Sequence, residues 1–315
     1  MAILARIGGC TLLLALAISS AQSQDPVYTT HMEVVRGKPY VMVMVNDRGP
    51  FRFLVDTGTG GQAIVTMELA DQLQLPLVGD TRITDPSRQG EKRADTVFID
   101  KLSIGGADFI AVEAVRHKLY GDDGECQGVL GFKLFEDYLL TLDYPNQRLT
   151  LASGALVPDH ENTVLPFQMP DGVPVARLRI GDLQVDALFD SGGTGLSIPE
   201  QIASQLKFSS EPVDFGNGES LSSRFLIKAG ILGSDVQVGQ YTFAQPFVEV
   251  NTAFPQVNFG SCPMQNFSFT FDQVNLLMRL EASQRVLHLA TTPTKPRLQN
   301  APQLKPPAPD LVPIG

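Results

Sequence analysis

Two nine-residue segments decide the fold of this chain: F-L-V-D-T-G-T-G-G at residues 53–61 and A-L-F-D-S-G-G-T-G at residues 187–195. Each segment passes from apolar residues into an aspartate, a hydroxyl residue and a glycine, giving Asp56-Thr57-Gly58 and Asp190-Ser191-Gly192. Both predict an apolar strand that ends in a sharp turn, because glycine allows backbone conformations that a Cβ would block. The two segments are therefore interpreted as copies of one unit.

The sequence downstream of each segment repeats in the same order. Gly131 and Gly260 each open a short helical turn and a strand, and an aspartate follows each of them twelve residues later, at Asp143 and Asp272. A period this long, seen twice, indicates a duplicated domain and not a solenoid. The prediction is an all-β chain with a few short helices, in two lobes that pack about a pseudo-twofold axis so that like residues meet. The predicted lobes are residues 22–155 and 156–290.

The predicted elements follow the same order in both lobes. The first lobe is expected to hold strands at 40–45 and 51–55 around a turn at 46–50, then a helix at 65–75. The second is expected to hold strands at 173–180 and 183–189, then a short helix at 199–206.

Two polar segments are candidate flaps over a cleft between the lobes. Residues 79–95 contain Gly90 and are expected to form a hairpin. Residues 211–224 contain Asn217 and Gly218, a turn signal that predicts a hairpin tip at those residues.

Composition limits the classes of function. Hydrophobic residues make up 43% of the 315 residues and charged residues 18%, which is typical of a globular protein. The net charge of -10 argues against nucleic acid and anionic membrane as partners.

The two ends of the chain carry different signals. Arg6 precedes an apolar run and small residues at 19–21, which predicts a signal peptide at residues 1–21 and an exported, periplasmic or secreted protein. Residues 291–315 are rich in proline and are interpreted as a disordered tail. Export permits a disulfide between Cys126 and Cys262, and two free thiols are the alternative.

A matched pair of aspartates points to a specific chemistry. Two carboxyl groups held within a few ångströms share a proton, because both cannot ionise without repulsion. One then acts as a base that activates water and the other as an acid that stabilises the oxyanion of an attacked carbonyl. Thr57 and Ser191 supply hydroxyls that could bond across to the opposite loop.

The residues that carry this chemistry resemble those of a known family. The two D-[TS]-G triplets, V-L-G at residues 129–131 and the segment F-K-L-F-E-D-Y-L-L-T-L-D-Y that follows are similar to those of the retropepsin and pepsin superfamily of aspartic proteases, and most similar to bacterial exported retropepsin-like aspartyl proteases. The resemblance implies a bilobal acid-protease barrel. It also implies peptide-bond hydrolysis by Asp56 and Asp190, supported by Thr57, Gly58, Ser191 and Gly192, with no metal or organic cofactor. The expected partner is then a peptide or protein substrate, and the expected state is a monomer of two pseudo-symmetric lobes.

Two residues of the second lobe depart from the family pattern. Gly193 stands where that pattern has a serine or threonine, which predicts that Asp190 lacks its outer hydrogen bond. Asn258 gives the second apolar-apolar-glycine element a polar first residue.

Three other interpretations stay open. The two aspartates could be plain turn residues in a duplicated β domain. The chain could be a catalytically inactive peptide-binding module on the same fold, which the departures at Gly193 and Asn258 favour. It could also be a serine hydrolase with Ser191 as nucleophile, because D-S-G-G resembles the nucleophile loop of chymotrypsin-like enzymes; this reading requires a histidine base.

Overall fold

The computed structural model describes residues 26–84, 91–119, 126–219 and 224–289. The predicted signal peptide, the proline-rich tail and Gly90 lie outside these residues. Strands dominate the described residues, and only short helices interrupt them. The chain is therefore an all-β protein, as predicted.

The strands of the first half of the chain are β1 (Val27–His31), β2 (Glu33–Val35), β3 (Lys38–Val45), β4 (Arg48–Asp56), β5 (Ala63–Val65), β6 (Leu77–Ile83), β7 (Lys92–Ile104), β8 (Ala107–Arg116), β9 (Gly128–Gly131), β10 (Leu139–Asp143) and β11 (Arg148–Ala152). The α-helix of this half is α1 (Met67–Leu73), and a 3₁₀ helix spans Phe132–Phe135.

The strands of the second half are β12 (Val164–Pro166), β13 (Val175–Ile180), β14 (Leu183–Asp190), β15 (Leu196–Pro199), β16 (Phe208–Glu219), β17 (Arg224–Leu232), β18 (Val236–Val238), β19 (Tyr241–Phe243), β20 (Phe247–Asn251), β21 (Val257–Gly260), β22 (Ser268–Asp272), β23 (Leu277–Glu281) and β24 (Val286–Leu287). The helices are α2 (Glu200–Ala203) and α3 (Ser261–Met264), with a 3₁₀ helix at Pro170–Gly172.

Each half of the chain builds one sheet of its own. Among the described residues, the first half forms an eight-stranded sheet in the order β2-β3-β4-β9-β5-β8-β7-β6. The second half forms a ten-stranded sheet in the order β16-β17-β20-β15-β21-β14-β13-β18-β19-β24. The shared motif β4-β9-β5 and β14-β21-β15 lies at the centre of each, so the sequence repeat corresponds to a repeat in topology.

A third sheet joins the two halves. It has the order β1-β11-β10-β22-β23-β12 in the described residues, so its central pair takes one strand from each half. β10 and β22 run antiparallel with Thr141 opposite Thr270, and the hydroxyls of these two residues lie 2.9 Å apart. Equivalent residues of the two copies therefore meet at the centre of the molecule. The predicted division at residues 155 and 156 falls between β11 and β12.

Apolar packing fixes the strands that carry the repeated aspartates. Phe189 and Phe259 are fully buried with ring centroids 4.8 Å apart. Phe189 immediately precedes Asp190, and Phe259 immediately precedes Gly260, which lies beside Asp190 on β21. Val55 and Leu130 are fully buried at the equivalent positions of the first half. Full burial of such a side chain contributes roughly 1.5–3 kcal/mol, so the strand ends lie on a rigid base.

Two predicted elements differ from the structure. The helix expected at 65–75 is limited to Met67–Leu73, because Thr66 caps its first turn and Gln74 adopts a left-handed φ of 55° that ends it. Val65 belongs to β5 instead, since strands β8 and β9 pair with this strand on both sides. The helix expected at 199–206 is also shorter and spans only Glu200–Ala203.

The position of the second hairpin tip was predicted wrongly. Asn217 and Gly218 lie within strand β16, opposite Leu226 and Phe225, and the pairing of β16 with β17 continues to Glu219 and Arg224. Gly218 serves packing instead: a Cβ there would lie 2.4 Å from the ring of Phe225. The first hairpin pairs β6 with β7 around the segment that contains Gly90.

Cys126 and Cys262 were candidates for a disulfide. Cys126 and Cys262 are both free, so the disulfide alternative is not formed; the Cys126 thiol donates to the carbonyl of Gly128 at 3.0 Å.

None of the helices in the described ranges has the length and apolar character needed to cross a membrane.

Candidate active site

The two aspartates end equivalent strands. β4 runs parallel to β9 with Asp56 beside Gly131, and β14 runs parallel to β21 with Asp190 beside Gly260. Each neighbouring glycine is needed for close approach: a Cβ on Gly131 would lie 2.1 Å from the carbonyl oxygen of Gly61. Each aspartate is half-buried at the tip of its strand.

Thr57 and Ser191 lock the two aspartate loops together. The Thr57 hydroxyl donates to the carbonyl of Phe189 at 2.6 Å and accepts from the amide of Ser191 at 3.0 Å. The Ser191 hydroxyl donates to the carbonyl of Val55 at 2.7 Å and accepts from the amide of Thr57 at 3.0 Å. Both side chains are fully buried, at 1% and 0% exposure. Each hydroxyl therefore crosses to the other loop, and the relative position of the loops is fixed by four buried hydrogen bonds.

Gly58 and Gly192 allow the carboxyl groups to approach each other. A Cβ on Gly58 would lie 2.5 Å from Oδ1 of Asp190, and a Cβ on Gly192 would lie 2.3 Å from Cγ of Asp56. Each aspartate thus packs against the glycine of the opposite loop. The structure brings together six predicted site residues: Asp56, Thr57, Gly58, Asp190, Ser191 and Gly192.

Asp56 accepts hydrogen bonds on both oxygens. The amide of Gly58 donates to Oδ1 at 2.8 Å, and the hydroxyl of Thr59 donates to Oδ2 at 2.9 Å. Both donors lie on the loop that carries Asp56, so this loop holds its own carboxyl group.

Asp190 receives its outer hydrogen bond from another strand. The amides of Gly192 and Gly193 donate to Oδ1 at 2.9 and 2.8 Å, and the side-chain amide of Asn258 on β21 donates to Oδ2 at 2.6 Å. The expectation that Gly193 leaves Asp190 without this bond was wrong, because Asn258 replaces the missing hydroxyl. A Cβ on Gly193 would lie 3.0 Å from Oδ1 of Asn258. The two departures of the second lobe therefore compensate each other.

The electrostatics of the aspartate pair favour one shared proton. Burial raises the pKa of Asp56 to about 7, and the negative charge of Asp190 and a hydrogen bond between the two side chains act in the same direction. The hydrogen bond from Thr59 and the positive charge of Lys38 lower the pKa of Asp56 and oppose this shift. A carboxyl group that stays protonated beside a second carboxyl can act as an acid near neutral pH.

Sequence reasoning missed two residues around the pair. Lys38 acts on Asp56 through its charge, and Tyr144 is a fully buried tyrosine whose pKa is raised by burial and then by the charge of Asp190. Lys38 is the first residue of β3 and Tyr144 directly follows β10, so neither carries a pattern that distinguishes it from an ordinary strand-end residue. Only the tertiary structure relates them to the aspartates.

The geometry also bears on the serine-hydrolase reading. The Ser191 hydroxyl is fully buried and both donates and accepts within the interlock, so it is not available to attack a substrate.

In the part of the chain that the structure describes, no group of three or more histidine, cysteine, aspartate or glutamate residues could hold a metal ion.

Residues 41–134 match a family model described as aspartyl protease. This part of the chain is similar to the aspartyl proteases. The matched aspartyl protease segment contains Asp56 and strand β9, and it ends before Asp190, so the match concerns the first lobe. It supports a place among the retropepsin-like aspartyl proteases and protease activity in general. No curated protein sequence matches the chain.

Proposed function

We propose that this protein is an aspartic endopeptidase that hydrolyses peptide bonds with a water molecule activated by Asp56 and Asp190. One observation carries the proposal. Two interlocked loops hold two carboxyl groups in contact, and burial together with the neighbouring charge raises the pKa of Asp56 to about 7. The aspartyl protease match in the first lobe supports the same reaction class.

The hydrogen bonds suggest how the roles divide. Asp190 accepts three hydrogen bonds, which stabilise a carboxylate, whereas Asp56 accepts two. Asp190 is then the base that removes a proton from water as the water oxygen bonds to the scissile carbonyl carbon. Asp56 gives its proton to the carbonyl oxygen, which avoids a free oxyanion.

In the second half of the reaction, Asp190 gives up its proton and Asp56 regains one. The proton on Asp190 moves to the leaving nitrogen as the carbon–nitrogen bond breaks, and a hydroxyl proton of the tetrahedral intermediate returns to Asp56. The pair ends in its starting state, with one proton shared between the carboxyl groups. These steps use the two side chains and one water molecule.

The hairpins β6–β7 and β16–β17 are proposed as flaps that cover a bound peptide. The proposed substrate is an extended peptide or protein segment lying between the two lobes, and the proposed active form is a monomer. We also propose that the protein is exported, on the basis of the signal-like residues 1–21.

Peptide cleavage by the purified protein between about pH 3 and 8 tests the proposal. Replacing either carboxyl group, in Asp56→Asn or Asp190→Asn, is expected to lower kcat by at least about 10²-fold, since general acid–base groups contribute about 10² to 10⁴. The matched control is Asp182→Asn in the exposed turn between β13 and β14. Cleavage that survives either change would contradict the mechanism. Peptide binding without cleavage by the wild type would favour the binding module.

A further inference from the structure

The two lobes present different rows of side chains beside the aspartate pair. In the second lobe, Asn258 pairs with Ser197, and Ser197 pairs with Glu249 on the next strand. Directly paired residues lie on the same face of a sheet. Since the Asn258 amide contacts the carboxyl of Asp190, Ser197 and Glu249 lie on the face that carries this carboxyl.

The equivalent row in the first lobe is apolar. Val129 stands at the position of Asn258, two residues before the glycine beside the aspartate, and it pairs with Ile64, which pairs with Val115. Val129 and Ile64 are buried at 5% and 6% exposure, and Val115 is half-buried. The pseudo-symmetric site therefore has one apolar wall and one polar wall that ends in an acid.

Glu249 is the member of the polar row without a partner. Its carboxyl group makes no hydrogen bond or ion pair with any residue in the described ranges, and it is half-buried. The carboxyl lies against the loop of Asp190, where a Cβ on Gly195 would come within 2.7 Å of Cδ of Glu249. Two strand spacings of about 4.8 Å separate Glu249 from Asn258, so the acid lies within reach of a substrate side chain.

The lysine on the neighbouring strand does not pair with Glu249, so this acid is available to a cation from the substrate. Lys228 lies on the neighbouring strand but pairs with Val250, which places it on the opposite face, and its ammonium group contacts Glu200 at 3.6 Å. Burial and then the negative charge of Glu249 raise the pKa of the Cys262 thiol, so this thiol lies near the acid. Burial raises the pKa of Glu249 to about 7, which favours the neutral acid, and a cation bound beside it would restore the carboxylate.

We propose that Glu249 forms an acidic subsite on the Asp190 side of the cleft that selects a lysine or arginine side chain at one position of the substrate. This inference rests on the proposed peptidase function. The apolar row of Val129, Ile64 and Val115 forms the corresponding subsite on the Asp56 side and takes an aliphatic or aromatic side chain. The sequence preference of the enzyme is then asymmetric about the cleaved bond.

Cleavage of a peptide set tests the subsite. Each position flanking the scissile bond carries in turn lysine, norleucine or glutamine. At one position lysine is expected to raise kcat/KM at least about tenfold over norleucine, the effect of one charge-assisted contact. Glu249→Gln is expected to abolish that preference, so that the ratio of kcat/KM between the lysine and norleucine peptides falls to about one. The matched control Glu136→Gln, an exposed glutamate after the first 3₁₀ helix, is expected to keep it.

A binding experiment separates this inference from the proposed function. Dissociation constants for the same peptides are measured with Asp56→Asn and with Asp56→Asn combined with Glu249→Gln or Glu249→Met. Tighter binding of the lysine peptide that disappears in both double variants supports the subsite, even if the wild type cleaves no peptide and the peptidase proposal fails. Equal binding of lysine and norleucine peptides at every position, a preference for glutamine, or a lysine preference that survives both Glu249 changes overturns it.

Discussion

The side-chain amide of Asn258 donates a 2.6 Å hydrogen bond to Oδ2 of Asp190, at the place where Thr59 serves Asp56 in the first lobe. The two lobes thus hold equivalent carboxyl groups with different donors. Gly193 is part of the same arrangement, because a side chain on it would crowd both Asp190 and Asn258. Gly193 and Asn258, the two departures from the family pattern, therefore act together: Asn258 supplies the outer hydrogen bond to Asp190, and Gly193 leaves room for it.

Exchanging the donor tests this relationship. Asn258→Val removes the hydrogen bond to Asp190, and a bond to a charged group contributes about 1.5–3 kcal/mol. We expect kcat/KM to fall roughly tenfold to a hundredfold with the fold retained, since the first lobe has valine at the equivalent position. Peptide-cleavage kinetics and circular dichroism measure the two effects.

The double variant is the sharper form of that experiment. Gly193→Thr alone is expected to lose activity, because its Cβ would lie 2.7 Å from Oδ2 of Asp190. Gly193→Thr combined with Asn258→Val reproduces the Thr59–Val129 arrangement and is expected to recover part of the loss. A double variant less active than Gly193→Thr would contradict the compensation.

The interlock predicts a loss of stability. Ser191→Ala leaves the amide of Thr57 and the carbonyl of Val55 buried without this partner. Each unsatisfied buried group costs about 1–3 kcal/mol, so the free energy of unfolding should fall by roughly 2–6 kcal/mol in urea denaturation. Ser204→Ala, at an exposed serine that bonds the carbonyl of Gln201, should change it by less than about 0.5 kcal/mol.

A double variant addresses the coupling of the two hydroxyls. Thr57→Val and Ser191→Ala together should cost less than the sum of the single changes, because the two side chains belong to one network. Additive losses would show that the two loops are held independently. Labelling by a serine-directed reagent is expected to fail in the wild type, since Ser191 is fully buried.

The glycines beside the aspartates predict a steric effect. Gly58→Ala and Gly192→Ala place a methyl group 2.5 Å from Oδ1 of Asp190 and 2.3 Å from Cγ of Asp56. We expect each to lower kcat by at least about tenfold by separating the carboxyl groups. Gly61→Ala in the same loop meets no atom within 4 Å and is the matched control. Equal losses in all three variants would argue against a steric cause.

The raised pKa of Asp56 predicts how stability depends on pH. The pKa of this carboxyl is 3.8 in its ordinary state and about 7 in the folded protein, so the native state binds more protons than the unfolded chain between these values. The free energy of unfolding should therefore fall as pH rises from about 4 to 7. Asp56→Asn removes this contribution and should flatten the curve.

The control for that measurement is Asp182→Asn, which should leave the slope unchanged because the residue is exposed. Burial raises the pKa of Glu249 from 4.5 to about 7, so Glu249→Gln should flatten the curve in the same pH window. A slope that is unaffected by Asp56→Asn would show that the pair does not hold an additional proton in the folded state.

Local pattern was sufficient for most of the architecture. The apolar runs before Asp56 and Asp190 become strands β4 and β14, and Gly131 and Gly260 lie beside those aspartates in both copies. Boundaries were less predictable where long-range pairing decided them. Residues 63–65 have apolar side chains that suit a helix or a strand, and β8 and β9 make them a strand.

The hairpin tip shows a different reason for failure. Glycine and asparagine at 216–218 signal a turn, yet the pairing of Gly218 with Phe225 places them inside β16. Gly218 is small because the ring of Phe225 on the neighbouring strand occupies the space beside it. The sequence alone does not show whether a glycine is there for such packing or for the backbone freedom of a turn.

Two equivalent aspartates at the ends of two equivalent strands could be predicted from sequence, because the repeat of apolar residues, aspartate, hydroxyl and glycine is local and specifies strand and turn directly. Only the tertiary structure decided which donor serves each carboxyl. Asn258 lies 68 residues from Asp190 and reaches it through the parallel pairing of β14 and β21. Glu249 likewise joins the aspartate face through strand register, since contacts across a sheet depend on which strands are neighbours and not on distance along the chain.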